Sequence, residues 1–292
     1  MEAVAAKLPV AYGERQARAA TAFLSPALLV VSIMLVAPLL LVIRFSLNRY
    51  DPQELMIEAF TGANYLRFVS DPFYVAVLRT TLGVAFATTV ICLLLGLPMA
   101  YRLARMTSRW KTFCMLCIVL PLFVSSVVRM VGWMILFAHG GVIDNLARWV
   151  TGNGLELMFT PFAVVMGIVS VNLPYVVLTV QSTIETIDPR VEEAAQSLGA
   201  APGRSFWRVV WPLALPGIAI AGILCFILAM NAYATPYLLG GPRFQMMAPL
   251  IYQVFTNNND WPFASAMAII LMATTLVLTA GSSLLIPRRY RG

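Results

Sequence analysis

Six stretches of the chain are apolar for about the 20 residues that a helix needs to cross a bilayer. They cover residues 23–43, 80–100, 112–137, 159–182, 214–239 and 263–286. Each run is continuous, where a barrel strand would alternate apolar and polar positions. Lipid offers no partner to an open backbone, so these runs predict helices. The first is too long for a signal-peptide core of about 7–15 residues. Arg44-Phe45-Ser46 after it offers no small-x-small cleavage site. The expected fold class is therefore an all-α integral membrane protein with six transmembrane helices. The expected division is a cytoplasmic leader (1–22), a membrane domain (23–287) and a basic cytoplasmic tail (288–292).

Composition agrees: 60% of the 292 residues are hydrophobic and 11% are charged, against about a quarter charged in soluble domains. With the leader inside, the cytoplasmic cations are Lys7, Arg15, Arg18, Arg102, Arg105, Arg109, Lys111, Arg190, Arg204, Arg208, Arg288, Arg289 and Arg291. The other side has Arg44, Arg49, Arg67, Arg79, Arg148 and Arg243, and Arg129 lies within a run. This asymmetry predicts both termini in the cytoplasm. The net +7 is dispersed over short segments, which excludes a nucleic-acid face. Cys92, Cys114, Cys117 and Cys225 all lie inside runs. Cys114 and Cys117 have no accompanying His or second pair, so they read as small apolar residues and no metal site is expected.

Breakers organise the rest. Asp51-Pro52 and Asp71-Pro72 mark turns or helix starts in the first outer segment, and His139-Gly140-Gly141 marks a turn before a short amphipathic helix over 144–150. Gly240-Gly241-Pro242 and Asn257-Asn258-Asn259-Asp260 break the third outer loop. Pro121 and Pro174 predict kinks, either beside a pathway or in ordinary packing.

The connection between the fourth and fifth runs, 185–213, is unlike a plain linker. Asp188 can cap a helix that starts at Pro189, with Glu192 and Glu193 near its positive end. Gly199 can stop that helix in the left-handed conformation. A second amphipathic stretch follows with Phe206, Trp207, Val209, Val210 and Trp211. The expectation is a compact pair of short helices whose small and aromatic surface requires a partner.

Glu193-Ala194-Ala195, then Gly199-Ala200, then Val209-Val210-Trp211-Pro212 resemble the EAA loop of binding-protein-dependent ABC permeases. The family pattern is E-A-A, three residues, Gly, nine residues and I-x-L-P; Val209 and Trp211 replace its Ile and Leu. The resemblance covers about 79–286. It implies a type I ABC importer permease fold in a bacterial inner membrane. It also implies a homologous second permease, a dimeric ABC ATPase and a periplasmic solute-binding protein. The loop that docks on the ATPase would comprise Asp188, Glu192, Glu193, Ala194, Ala195, Gly199, Ala200, Phe206 and Pro212. The chain has no phosphate-binding motif: Lys111-Thr112 lacks the required glycines, with Arg105 and Trp110 in their places. It is therefore not expected to be an enzyme or to hold a cofactor; ATP and Mg would belong to the partner ATPase.

Asn64-Tyr65, Asp71-Pro72-Phe73-Tyr74, Val128-Arg129 leading to Gly132-Trp133, and Asp260-Trp261-Pro262-Phe263-Ala264 resemble the spermidine/putrescine branch. That implies polyamine import; the same machinery also suits an opine, an amino-acid-like compound, iron or thiamine. No Asp or Glu falls within the six runs, so a polycation would rely on aromatic faces, carbonyls or a partner. Candidate pathway residues are Trp133, Asn172, Tyr175, Asn231 and Tyr233, which also suit helix–helix hydrogen bonding or an aromatic belt. Arg129 shares a helical face with Ser125, Ser126 and Trp133. It can pair with a partner-subunit acid or carbonyl, snorkel, or gate the pathway. A secondary transporter or channel is the rival class, but it needs no exposed coupling loop. The single His139 and the loop acids form no catalytic set.

Overall fold

Backbone groups in long apolar runs can be satisfied only within a helix, and the fold is helical almost throughout. The computed structural model describes residues 10–242 and 244–285. The first part of the leader, the outer Arg243 and the basic tail lie outside the described residues. In chain order the helices are α1 (Val10–Ser46), α2 (Ala63–Ser70), α3 (Pro72–Arg105), α4 (Trp110–Phe123), α5 (Ser126–Phe137), α6 (Val142–Thr151), α7 (Pro161–Glu185), α8 (Pro189–Ser197), α9 (Pro202–Ser205), α10 (Trp211–Met230), α11 (Ala234–Leu239), α12 (Met247–Thr256) and α13 (Trp261–Leu285).

One local rule starts several of them. Asp71, Thr160 and Asp188 each precede a proline at the first helical position, and each side chain accepts a backbone N–H from the first turn. Asp260 likewise caps α13, its Oδ1 accepting from Phe263 N at 3.0 Å, with Pro262 at the second helical position. Proline loses nothing at that position, and the capping oxygen satisfies a donor the helix cannot.

Among the described residues, six stretches are long and apolar enough to cross a membrane: Leu28–Ser46, Pro72–Arg105, Ser126–Thr151, Pro161–Glu185, Pro202–Met230 and Trp261–Ser282. Two runs differ from expectation. The run 112–137 is divided at Val124, which is extended after Pro121 in the last turn of α4. At ~1.5 Å per residue, the 14 residues of α4 span only about 21 Å. The stretch meeting the length is α5 carried over the Gly140–Gly141 turn into amphipathic α6. The run 214–239 ends early: α10 stops at Met230, and α11 begins only at Ala234. The first helix also reaches back to Val10, so the described part of the leader is continuous with the first span.

α3, α7 and α10 pack on one another as the centre of the bundle, and α1 leans on α13 at its edge. Two apolar clusters fill the centre. One, with Cys92, Ala100, Val176, Val180, Ile184, Val210 and Ala214, lies toward the loop that carries α8. The other, with Phe68, Met130, Met230, Met246, Met247 and Phe263, lies toward the opposite end. Close approach depends on small residues, as usual between membrane helices. A Cβ at Gly217 would stand 2.0 Å from Thr183 Oγ1.

At the end opposite α8, the segment after α1 is tied down by side chains. Asn64 Nδ2 donates to the carbonyls of Ser46 and Asn48 at 2.8 and 2.9 Å. Arg67 pairs with the buried Asp260 at 2.9 Å and lies 4.0 Å over the Phe263 ring. The stretches around Asn64, Asp71 and Asp260, which carried the finer resemblance, are thus helix starts and clasps.

Candidate functional site

Of the two helices in the loop 185–213, only α8 stands apart from the membrane spans. α8 is capped by Asp188, whose Oδ1 accepts from Arg190 N at 2.9 Å. At its other end Gly199 N donates to Gln196 O at 2.9 Å and Ala200 N to Ala195 O at 3.1 Å, a paired closure that requires a left-handed residue between. Gly199 supplies it with φ +88. The expected second short helix is instead the start of the fifth span. Pro202 opens α9, and Phe206–Val210 form a π-helical turn that runs directly into α10. The wider turn lets Phe206, Trp207 and Trp211 cluster, with ring centroids 4.8–6.4 Å apart.

The residues expected on the docking surface divide into two groups. Glu193, Ala194 and Gly199 are exposed, and so is Leu198, at 90%. Ala195, Ala200 and Pro212 are half-buried. Ala195, Leu198, Gly199 and Ala200 line a cavity of about 280 Å³ with Arg204 and Arg208. Glu192 is not on that surface. It is buried beneath α8, where its Oε1 accepts from Arg105 Nε at 2.8 Å and its Oε2 from the Tyr101 hydroxyl at 2.8 Å. Phe206 also turns inward, meeting Tyr101 edge-on at 4.8 Å. A glutamate at the fourth position of a capped helix was visible in the sequence, but not that Arg105, far along the chain, would meet it.

The expected pathway residues separate in the same way. Asn172, Tyr175 and Tyr233 share a cavity of about 230 Å³, completed by Ser126, Ile168, Val171 and Leu228. Asn172 is buried and donates through Nδ2 to Cys225 O at 3.3 Å, linking α7 to α10. Tyr233 stands where the fifth run breaks. Its ring stacks on Tyr237 at 5.5 Å and meets Tyr252 edge-on at 5.1 Å. Tyr237 and Tyr252 line a second cavity of about 420 Å³ with Gln245, Gln253 and Asn257. Three tyrosines therefore form a continuous aromatic wall between two cavities, and among the described residues no carboxylate lines either one. Sequence reasoning missed Tyr237 and Tyr252; the spacing of Tyr233 and Tyr237, one helical turn, was the available signal.

Asn231 does not join this group. It back-bonds to Ile227 O at 2.9 Å and faces a different cavity beside α12 and α13. Trp133 donates to Ser170 Oγ at 3.0 Å and stacks on Phe137, which fixes α5 on α7. Arg129 has partners within its own chain: Nη2 donates to the carbonyls of Pro121 and Val124. Its Nε and Nη1 have no partner among the described residues.

A family model, binding-protein-dependent transport system inner membrane component, matches residues 92–291. The spermidine/putrescine transport system permease protein PotB of Escherichia coli (strain K12) is 33% identical over 85% of this chain and 89% of its own length. PotB of Salmonella typhimurium (strain SL1344) is also 33% identical, over 85% of each chain. Among solved structures, a chain of a bacterial alginate ABC transporter, in complex with an alginate pentasaccharide-bound periplasmic protein, superposes with a TM-score of 0.76. It is 17% identical, with 97% of this chain and 99% of that one covered.

Proposed function

The chain belongs to the family of binding-protein-dependent transport system inner membrane components and is the permease subunit of an ABC importer, and on that premise we propose that its solute is a polyamine such as spermidine or putrescine. The observation that carries the substrate is the wall formed by Tyr233, Tyr237 and Tyr252. Aromatic faces attract ammonium groups, more strongly once water is excluded. A chain of amines could exchange one face for the next without a carboxylate to trap it, and passage requires sites that bind weakly enough to release. Kinship with PotB supports the same reading.

The remaining parts follow from the machinery. A homologous second permease completes the pore against the exposed apolar faces of α4 and α5. A dimeric ATPase, which binds the ATP and Mg, docks on the exposed side of α8. A periplasmic binding protein delivers the solute at the opposite end. The Lys and Arg excess beside α8 supports reading that end, with both termini, as cytoplasmic, in a bacterium whose inner membrane holds the complex.

A second reading, import of an uncharged or anionic small solute by the same machinery, is favoured by the absence of any carboxylate in the two cavities. One experiment separates the two. The cognate binding protein is titrated calorimetrically with spermidine and putrescine, and ATP-driven uptake of labelled spermidine is measured in proteoliposomes holding the whole complex. Binding with ATP-dependent uptake is the expected result. A binding protein that ignores both amines, with no spermidine uptake, overturns the polyamine assignment.

A further inference from the structure

α8 is joined to its neighbours by short turns. Three residues connect it to α7. Toward α10 the chain turns through Gly199, which has a left-handed φ and no atom within 4 Å of where a Cβ would stand. The firm attachment is lateral. Glu192, 6% exposed, receives Arg105 through Nε at 2.8 Å and through Nη2, and Tyr101 through its hydroxyl at 2.8 Å. The same guanidinium donates through Nη1 to Ile187 O at 3.0 Å. Arg105 therefore grips the residue before the cap of α8 and a carboxylate one turn into it, and both Arg105 and Tyr101 belong to α3. The Phe206 ring against Tyr101 fills the space beside them.

We propose that Glu192 is the positioning residue through which displacement of α8 drives α3, so that the ATPase stroke enters the bundle through this clamp. The proposal rests on the reading of α8 as the docking element. A charge-assisted fork onto a buried carboxylate holds its geometry more strictly than a neutral bond or a bare turn. Losing one partner leaves a buried charge without compensation, so the clamp resists opening. Downstream, α3 is keyed into α7. A Cβ at Gly96 would touch Val176 at 3.0 Å, and Cys92 Sγ approaches Val169 O at 3.9 Å. α7 carries Asn172 and Tyr175 on the wall of the cavity they share with Tyr233. A shift of α3 therefore reaches the pathway through packed side chains. Glu193, adjacent in sequence, faces outward, and its side chain makes no hydrogen bond or ion pair among the described residues. The two glutamates thus divide the work, Glu193 toward the docked subunit and Glu192 toward the bundle.

The test uses the complete complex in proteoliposomes and reads three quantities: ATPase retained on purification, hydrolysis stimulated by the binding protein, and solute taken up per ATP. Glu192→Gln keeps the shape and removes the charge. The expected result is normal ATPase retention, hydrolysis near wild type, and uptake per ATP reduced about tenfold, the scale of one lost charge-assisted hydrogen bond. Tyr101→Phe should lower the same ratio by a smaller factor, and it carries the test if Glu192→Gln fails to accumulate in the membrane. An unchanged ratio in both variants overturns the proposal, and so does loss of ATPase retention in Glu192→Gln, since that would make Glu192 a docking residue. Failure of the wild-type chain to retain any ATPase would instead overturn the reading of α8 itself.

Discussion

Arg129 donates through Nη2 to the carbonyl oxygen of Pro121, and so staples the first turn of α5 to the last turn of α4. The proline and the extended Val124 end α4 inside an apolar run, leaving carbonyls that lipid cannot satisfy. A guanidinium placed there also meets the negative end of the α4 dipole.

Replacing Arg129 should therefore loosen the broken helix. Arg129→Leu is expected to cost about 1.5–3 kcal/mol, the range for hydrogen bonds to a charged group. Arg129→Lys should recover part of that, because a single ammonium can reach one carbonyl more readily than two. Thermal unfolding of the detergent-solubilised chain, together with membrane level by immunoblot, measures both. Equal stability in wild type and Arg129→Leu would mean the staple carries no weight.

Gly199 separates a backbone requirement from a surface one. The space around its missing Cβ is open, so a substitution costs only the left-handed conformation, about 1–2 kcal/mol for most residues. Asn tolerates that region and Val does not. Gly199→Val should unravel the end of α8 and reduce ATPase pull-down, whereas Gly199→Asn should retain it. Equal loss in both variants would show that the docked subunit rejects any side chain there, whatever the backbone does.

The tyrosine wall predicts a pattern in uptake kinetics. Tyr233→Phe preserves the ring faces and should transport spermidine normally. Tyr233→Ala should raise the apparent KM or lower the rate several-fold, in line with about 0.5–2 kcal/mol per cation–π contact. Labelled uptake in cells, with protein level as control, distinguishes them. A Phe variant as defective as Ala would point to the hydroxyl and away from the ring.

Asp260 holds two positions at once: it caps α13 and pairs with Arg67. Its side chain is 7% exposed and that of Arg67 is 51% exposed. Asp260→Ala should destabilise by about 0.5–2 kcal/mol through the cap alone. Arg67→Ala should cost less, because a half-exposed partner contributes little. Thermal unfolding of the two variants ranks them, and equal costs would make the ion pair, not the cap, the main contribution.

The sequence by itself determined whatever depends on neighbours in the chain. Apolar runs are helical because their own backbone is the only partner available in lipid. Asp188-Pro189 and Asp71-Pro72 start helices, and Gly199 ends one, because capping oxygens, proline and left-handed glycine act within a single turn. The loop 185–213 was legible for the same reason, and the family with it. Tertiary structure alone decided where runs break and which side chains meet. The division at Val124 depends on Arg129 reaching back to satisfy the freed carbonyls. The end of α10 at Met230 depends on Asn231 closing the helix and on Tyr233 finding Tyr252 across the bundle. Glu192 and Glu193 are indistinguishable as letters in a sequence. One is buried and the other exposed because a helix turns about 100° per residue, and Arg105 waits on only one of its faces.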